Sequence, residues 1–132
     1  MMKSEIRDME STVYRFFRAL DARDHAGVAA LMAAKGTWVR QGTPLVGPDA
    51  VMQALEARDP ERVTAHIVSN LWIETATATE ARARFYMTAF ETRPGQDTPQ
   101  MLGVRDCVDD LILEDGMWRI WRKESRRILP AE

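Results

Sequence analysis

Val63 to Glu91 reads VTAHIVSNLWIETATATEARARFYMTAFE, and this stretch decides the fold. β-branched and aromatic residues crowd its two ends. Small polar residues fill the middle, around Thr75–Glu80. That is the composition of two antiparallel strands joined by a tight turn. Alternation puts His66, Val68, Asn70 and Trp72 on one face of the first strand, and Ile67, Leu71 and Ile73 on the other. Both faces carry large apolar side chains, so neither simply faces water. One is expected to meet helices or a pocket, the other a further layer or a second subunit.

Upstream of this hairpin the period changes. Ser4 is suited to cap a helix, with acidic Glu5 behind it. Ile6, Met9, Val13, Phe16, Phe17 and Leu20 then recur at three- and four-residue spacing, which predicts an amphipathic helix from Ser4 to Leu20. Asp21 ends it. A carboxylate there opposes the helix dipole and needs a local reason to be present. Asp24 can cap a second helix, His25 to Ala33, closed by Gly36. Thr37 to Gln41 reads as a strand, Gly42-Thr43-Pro44 as a turn, and Leu45-Val46 as a short return. Gly47-Pro48-Asp49 starts a third helix, which packs through Val51, Met52 and Leu55 and runs to about Arg58 before Asp59-Pro60 breaks it.

Downstream, Arg93 to Pro99 is a loop by every local signal. Gln100 to Leu113 is a third long strand, Glu114-Asp115-Gly116 a turn with the Asp-Gly hairpin signature, and Met117 to Ile128 the last strand. Three helices followed by consecutive antiparallel strands make an α+β domain over residues 1–132.

The length suffices for a sizeable core. The formal net charge of −2 argues against nucleic acid or an anionic membrane as a default partner. Cys107 is the one cysteine, so no intrachain disulfide can form and the cytoplasm is the expected home. The charged start is neither a signal nor a transit peptide, and no apolar run reaches membrane-spanning length. Neither metal-ligand spacing, nor a Gly-rich phosphate loop, nor a Ser-His-Asp signature is present, so neither metal nor cofactor is expected.

Several motifs carry a resemblance in their order and spacing. They are Leu20-Asp21-x-x-Asp24, Trp38, Leu45-Val46-Gly47-Pro48-Asp49-Ala50, His66-Ile67-Val68-Ser69-Asn70 and Asp115-Gly116-Met117-Trp118-Arg119-Ile120. Together they resemble the SnoaL-like branch of the nuclear-transport-factor-2-like superfamily over nearly the whole chain. The resemblance implies a cone-like fold, in which a strongly curved, mostly antiparallel sheet wraps against three helices and leaves a pocket at its open end. It also implies a homodimer through the outer face of the sheet. The superfamily spans scytalone dehydratase, polyketide cyclases, ketosteroid isomerases and proteins without assigned activity, so fold does not fix function.

The resemblance further implies a site. In the dehydratases an Asp at the end of helix one orients a His on the long third strand, and Asp21 and His66 match those positions. A carboxylate accepting from Nδ1–H fixes the tautomer and leaves Nε2 as a base. Such a base removes a proton α to a carbonyl and can return it to a leaving hydroxyl. The tyrosines that the dehydratases place around this pair are replaced here by Phe16, Phe17 and Trp38, with Tyr86 or Arg84 as candidate donors. Trp38, Trp72, Phe17, Met52 and Tyr86 are the expected pocket lining, suited to a flat hydrophobic small molecule. Cys107-Val108-Asp109 stands where relatives carry Tyr-x-Asp.

Other readings stay open. His66 can serve as a structural anchor of helix to sheet, and Asp21 as a cap beside Asp24. The protein would then be a non-catalytic dimeric binding or assembly module. Arg119, Arg122, Lys123, Arg126 and Arg127 on the last strand read as a charged edge, or as a source of one inward arginine for an anion.

Overall fold

The computed structural model describes residues 3–132. Helix α1 (Lys3–Asp21) buries Met9, Thr12, Val13, Phe16, Phe17 and Leu20, the stripe that the spacing predicts. Ser4 lies inside its first turn rather than ahead of it. Helix α2 (His25–Ala29) is capped by the Asp24 carboxylate, which accepts from Gly27 N at 2.9 Å. The strands are β1 (Met32–Arg40), β2 (Thr43–Val46), β3 (Val63–Ala76), β4 (Glu80–Thr92), β5 (Gln100–Glu114) and β6 (Met117–Leu129), with helix α3 (Pro48–Glu56) between β2 and β3. They form one six-stranded sheet in the order β2-β1-β6-β5-β4-β3, antiparallel except where β1 runs parallel to β6. The architecture is α+β, with helices packed on a curved, open, mostly antiparallel sheet.

The second helix is shorter than the sequence suggests. The chain turns at Ala30-Leu31 and enters β1 at Met32, so Gly36 sits within a strand rather than ending a helix. Its role is close approach. A Cβ at Gly36 would lie 2.2 Å from the backbone oxygen of Ile120, at an irregularity in the β1–β6 pairing.

The core forms between α1, α3 and the concave face of the sheet. Phe16, Phe85, Met9, Leu55, Leu111 and Ile120 are among its fully buried side chains, each worth roughly 1.5–3 kcal/mol of burial. Thr12 Oγ1 donates to Trp118 O at 2.8 Å, tying α1 to β6 through a buried hydrogen bond.

The faces of β3 differ from strict alternation. Asn70 has φ 54°, and the register with β4 slips between Ser69 and Trp72. One extra residue enters the strand there, a β-bulge. Thr64, His66 and Val68 face inward before it, and Leu71 and Ile73 pack on the core after it. Trp72 is thereby turned to the outer face, 58% exposed.

Candidate active site

The inward face of β3 brings His66 under the C-terminal end of α1. Asp21 Oδ1 lies 2.6 Å from His66 Nδ1, and Oδ2 accepts from the His66 backbone N–H at 2.8 Å. Thr64 Oγ1 donates to the same Oδ1 at 2.9 Å. Asp21 is therefore not a helix cap. Its carboxylate reaches across to β3, and these three contacts are the local reason for an acid at the negative end of a helix. The Phe17 ring stacks on the His66 ring at 5.4 Å between centroids.

The imidazole lines a cavity of about 280 Å³ at the end of the sheet. Its walls are Phe17 and Leu20 from α1, Trp38 and Val39 from β1, Met87 and Ala89 from β4, and Leu102, Gly103 and Cys107 from β5. Nε2 has no protein hydrogen-bond partner among the described residues and is not a sealed atom. With Nδ1–H committed to Asp21, Nε2 is the nitrogen that carries the lone pair. Burial holds the imidazole below its ordinary value of 6.5; Asp21 pulls upward by hydrogen bond and charge, and Arg58 and Arg62 push down. The ring is neutral at pH 7, the state a general base needs.

A second charged pair lies in the interior. Lys123 Nζ is 3.1 and 3.2 Å from the two Asp109 oxygens, and Asp109 is fully buried. The ammonium sits over the Phe16, Phe17 and Phe85 rings at 4.3, 4.5 and 5.2 Å. Phe17 thus contacts both the His66 ring and the Lys123 ammonium. Burial pushes the Asp109 carboxyl upward, against the pull of Lys123. Burial also pushes the Cys107 thiol up to about 12, so it is a packed thiol and not a thiolate.

Trp38 and Phe17 line the cavity with His66, and Asp21 stands behind the imidazole. Trp72, Tyr86 and Met52 do not line it. The Asn70 bulge turns Trp72 outward. Tyr86 lies between inward-facing Phe85 and Met87, so alternation places it on the outer face, opposite Asp106. Helix α3 buries Val51 and Leu55, which leaves Met52 about 100° round the helix and half-buried. Arg84 is also outside, between Glu74 and Asp106.

Of the last-strand arginines offered as an inward anion contact, Arg127 lines the wall; the Lys123–Asp109 pair and the wall arginines Arg40, Arg58, Arg62 and Arg105 were not picked out as site residues in the sequence. A signal for the pair existed: Asp109 alternates with Cys107 and Leu111 on the apolar face of β5, where a carboxylate requires a counter-ion. Arg58 and Arg62 sit in the irregular connection from α3 to β3, where no periodicity reports direction. No group of three or more His, Cys, Asp or Glu side chains is gathered among the described residues as a metal site. No described helix is long and apolar enough to cross a membrane.

The chain matches the SnoaL-like domain family over residues 3–124. No curated protein sequence matches it. Among solved structures it is similar to a protein of Novosphingobium aromaticivorans provisionally assigned as a scytalone dehydratase. That likeness has a TM-score of 0.82 and 25% identity, and covers 94% of this chain and 84% of the other. An NTF2-like protein with a cystatin-like fold from the same organism gives a TM-score of 0.80 at 19% identity, over 94% of this chain and 82% of that one. A protein of Catenulispora acidiphila in complex with S-DNPA gives 0.82 at 19% identity, over 98% and 97%. The likenesses at 19% speak for the fold alone, and the family match spans most of the sequence: the chain belongs to the SnoaL-like domain family.

Proposed function

We propose that this protein is a cofactor-independent lyase or isomerase of the dehydratase type, acting on a hydrophobic carbonyl compound. His66 is the general base and then the general acid, and Asp21 is its positioning residue. The observation that carries this reading is the 2.6 Å contact between Asp21 Oδ1 and His66 Nδ1, on a ring that lines the cavity and whose other nitrogen has no protein partner among the described residues. In the proposed step Nε2 takes a proton from the carbon α to the carbonyl. The enolate that forms lies in a cavity lined in part by Lys123, whose ammonium favours negative charge on its oxygen. The imidazolium, stabilised by Asp21, returns the proton to carbon or to a leaving hydroxyl. The likeness to a provisionally assigned scytalone dehydratase accords with this class of chemistry.

The test needs no natural substrate. A bicyclic ketone such as 1-tetralone is incubated with the protein in D₂O, and loss of its α-proton signal is followed by NMR. Exchange that depends on His66 is expected. Exchange no faster than buffer, or unchanged in His66→Gln, would remove the catalytic role.

The outer face of the sheet exposes Ile67, Trp72, Tyr86 and Trp121. We propose that this face joins two copies into a homodimer, which light scattering would check against Trp72→Glu. A ligand-binding module without chemistry is the competing function, and the absence of exchange together with tight ligand binding would favour it.

A further inference from the structure

The cavity that holds His66 is ringed by positive charge. Arg40 enters from β1, and Arg58 and Arg62 from the connection between α3 and β3. Glu124 is the one carboxylate in the wall among the described residues, and it lies 3.3 Å from Arg122 Nη2. Arg105 and Arg127 are already engaged: Arg105 Nε donates to Ser125 Oγ at 2.7 Å, and Arg127 Nε to Pro130 O at 2.9 Å. The other three are poorly matched. Arg40 lies over the Trp38 ring at 5.6 Å and has no carboxylate partner among the described residues. Arg58 reaches Thr64 Oγ1 at 3.4 Å with Nη2, while its Nη1 is buried without a partner among the described residues. Arg62 Nε is 3.5 Å from a Glu91 oxygen that Arg93 Nε approaches to 2.7 Å. Burial lowers the guanidinium pKa of both Arg40 and Arg58, and the charge of Arg62 pushes each down further. Half-buried like charges with unpartnered donors form an arrangement that an anion stabilises.

We infer that Arg40, Arg58 and Arg62 form an anion subsite, and that the ligand of this cavity is a hydrophobic organic acid. Its carboxylate is held by these guanidinia, and its rings run inward along Phe17 and Trp38 toward His66. The inference deepens the function proposed above, and rests on it for the position of the reacting carbon. A planar guanidinium fork matches a carboxylate in two hydrogen bonds, which gives orientation as well as affinity. Size narrows the class further. A dry cavity of roughly 150 Å³ admits benzene, so one of about 280 Å³ suits two fused rings.

The test compares binding of 2-naphthoate, 2-naphthamide and 2-naphthyl phosphate by isothermal titration calorimetry at 0.15 M salt. The acid is expected to bind at least about tenfold tighter than the neutral amide. Arg40→Gln and Arg58→Gln should each remove about tenfold for the acid and leave the amide unchanged. Should Arg58→Gln fail to fold, Arg40→Gln and Arg62→Gln carry the test. Equal affinity for acid and amide, no binding of either, or an acid affinity that ignores the arginine substitutions would overturn the inference. Tighter binding of the phosphate than of the carboxylate would overturn the assignment to an organic acid. No turnover enters this measurement, so it succeeds or fails independently of the proton-transfer chemistry of His66.

Discussion

Asp21 accepts from His66 twice, from the ring through Oδ1 and from the backbone N–H through Oδ2, so one carboxylate fixes both the tautomer of the side chain and the strand that carries it. The two residues are therefore not equivalent under substitution. Asp21→Ala strips acceptors from the His66 N–H, the His66 ring and the Thr64 hydroxyl, and is expected to cost about 1–3 kcal/mol of stability. His66→Gln leaves the backbone bond and the Thr64 bond in place, so its stability should stay within about 1 kcal/mol of the parent. Its loss of α-proton exchange should be about a hundredfold or more. Urea unfolding and the exchange assay on both variants separate the roles. A His66→Gln protein as destabilised as Asp21→Ala, with exchange intact, would make the histidine an anchor only.

The pH dependence follows from the direction of the His66 shift. Burial holds the folded-state pKa below 6.5, while the unfolded chain titrates near 6.5. Between those two values the unfolded state binds more protons, so stability rises with pH across that window and levels off above it. Acidification from pH 7 should therefore weaken the fold through this residue, and His66→Gln should flatten that part of the curve. Exchange activity requires the neutral ring, so its acid limb should have a midpoint below 6.5. Asp21→Asn removes a contribution that raises the pKa, and should move the limb lower still. A limb that stays in place in Asp21→Asn would mean that another group sets it.

How much of this was legible in the sequence depends on how far each element keeps its period. The stripe of α1 and the Asp-Gly turn before β6 were readable because local spacing alone sets them. The Asp21–His66 contact joins residues on two elements and was readable only through the resemblance. Trp72 was misplaced because alternation was carried through Asn70, where a residue in the left-handed region inserts a bulge and reverses the phase of the strand. Tyr86 differs for another reason: it alternates with buried Phe85, and that alternation turns its phenol to the outer face. Lys123 was grouped with exposed arginines, although register sets it opposite Asp109.

Cys107 gives a direct readout of cavity packing. With its thiol pushed up to about 12 by burial, only about one molecule in ten thousand is thiolate at pH 8 in the folded state. Iodoacetamide labelling followed by mass spectrometry should be at least about a hundredfold slower in the folded protein than in urea. Rapid labelling of the folded protein would mean that the β5 wall opens.

The Lys123–Asp109 pair tests whether the charge under Phe17 serves the fold or the site. Asp109 is fully buried and Lys123 nearly so, and each satisfies the other. Lys123→Met removes the counter-ion and leaves a carboxylate sealed among apolar neighbours, which is expected to cost about 3–5 kcal/mol. Adding Asp109→Leu removes the stranded charge, and the double variant should recover most of that loss, because replacing a whole buried pair by apolar groups of similar volume is often neutral. Acid should rescue the single variant. Without Lys123 the folded-state pKa of Asp109 lies further above the ordinary value of 3.8, where burial already places it. The folded state then binds more protons than the unfolded one above that value, so stability rises as pH falls from 7. Denaturant midpoints at pH 5 and 7 check the sign. The double variant also reports on function. If it folds and still exchanges the α-proton of 1-tetralone at the parental rate, Lys123 contributes only to packing. If it folds and exchange falls about tenfold or more, the ammonium stabilises the enolate from beneath Phe17.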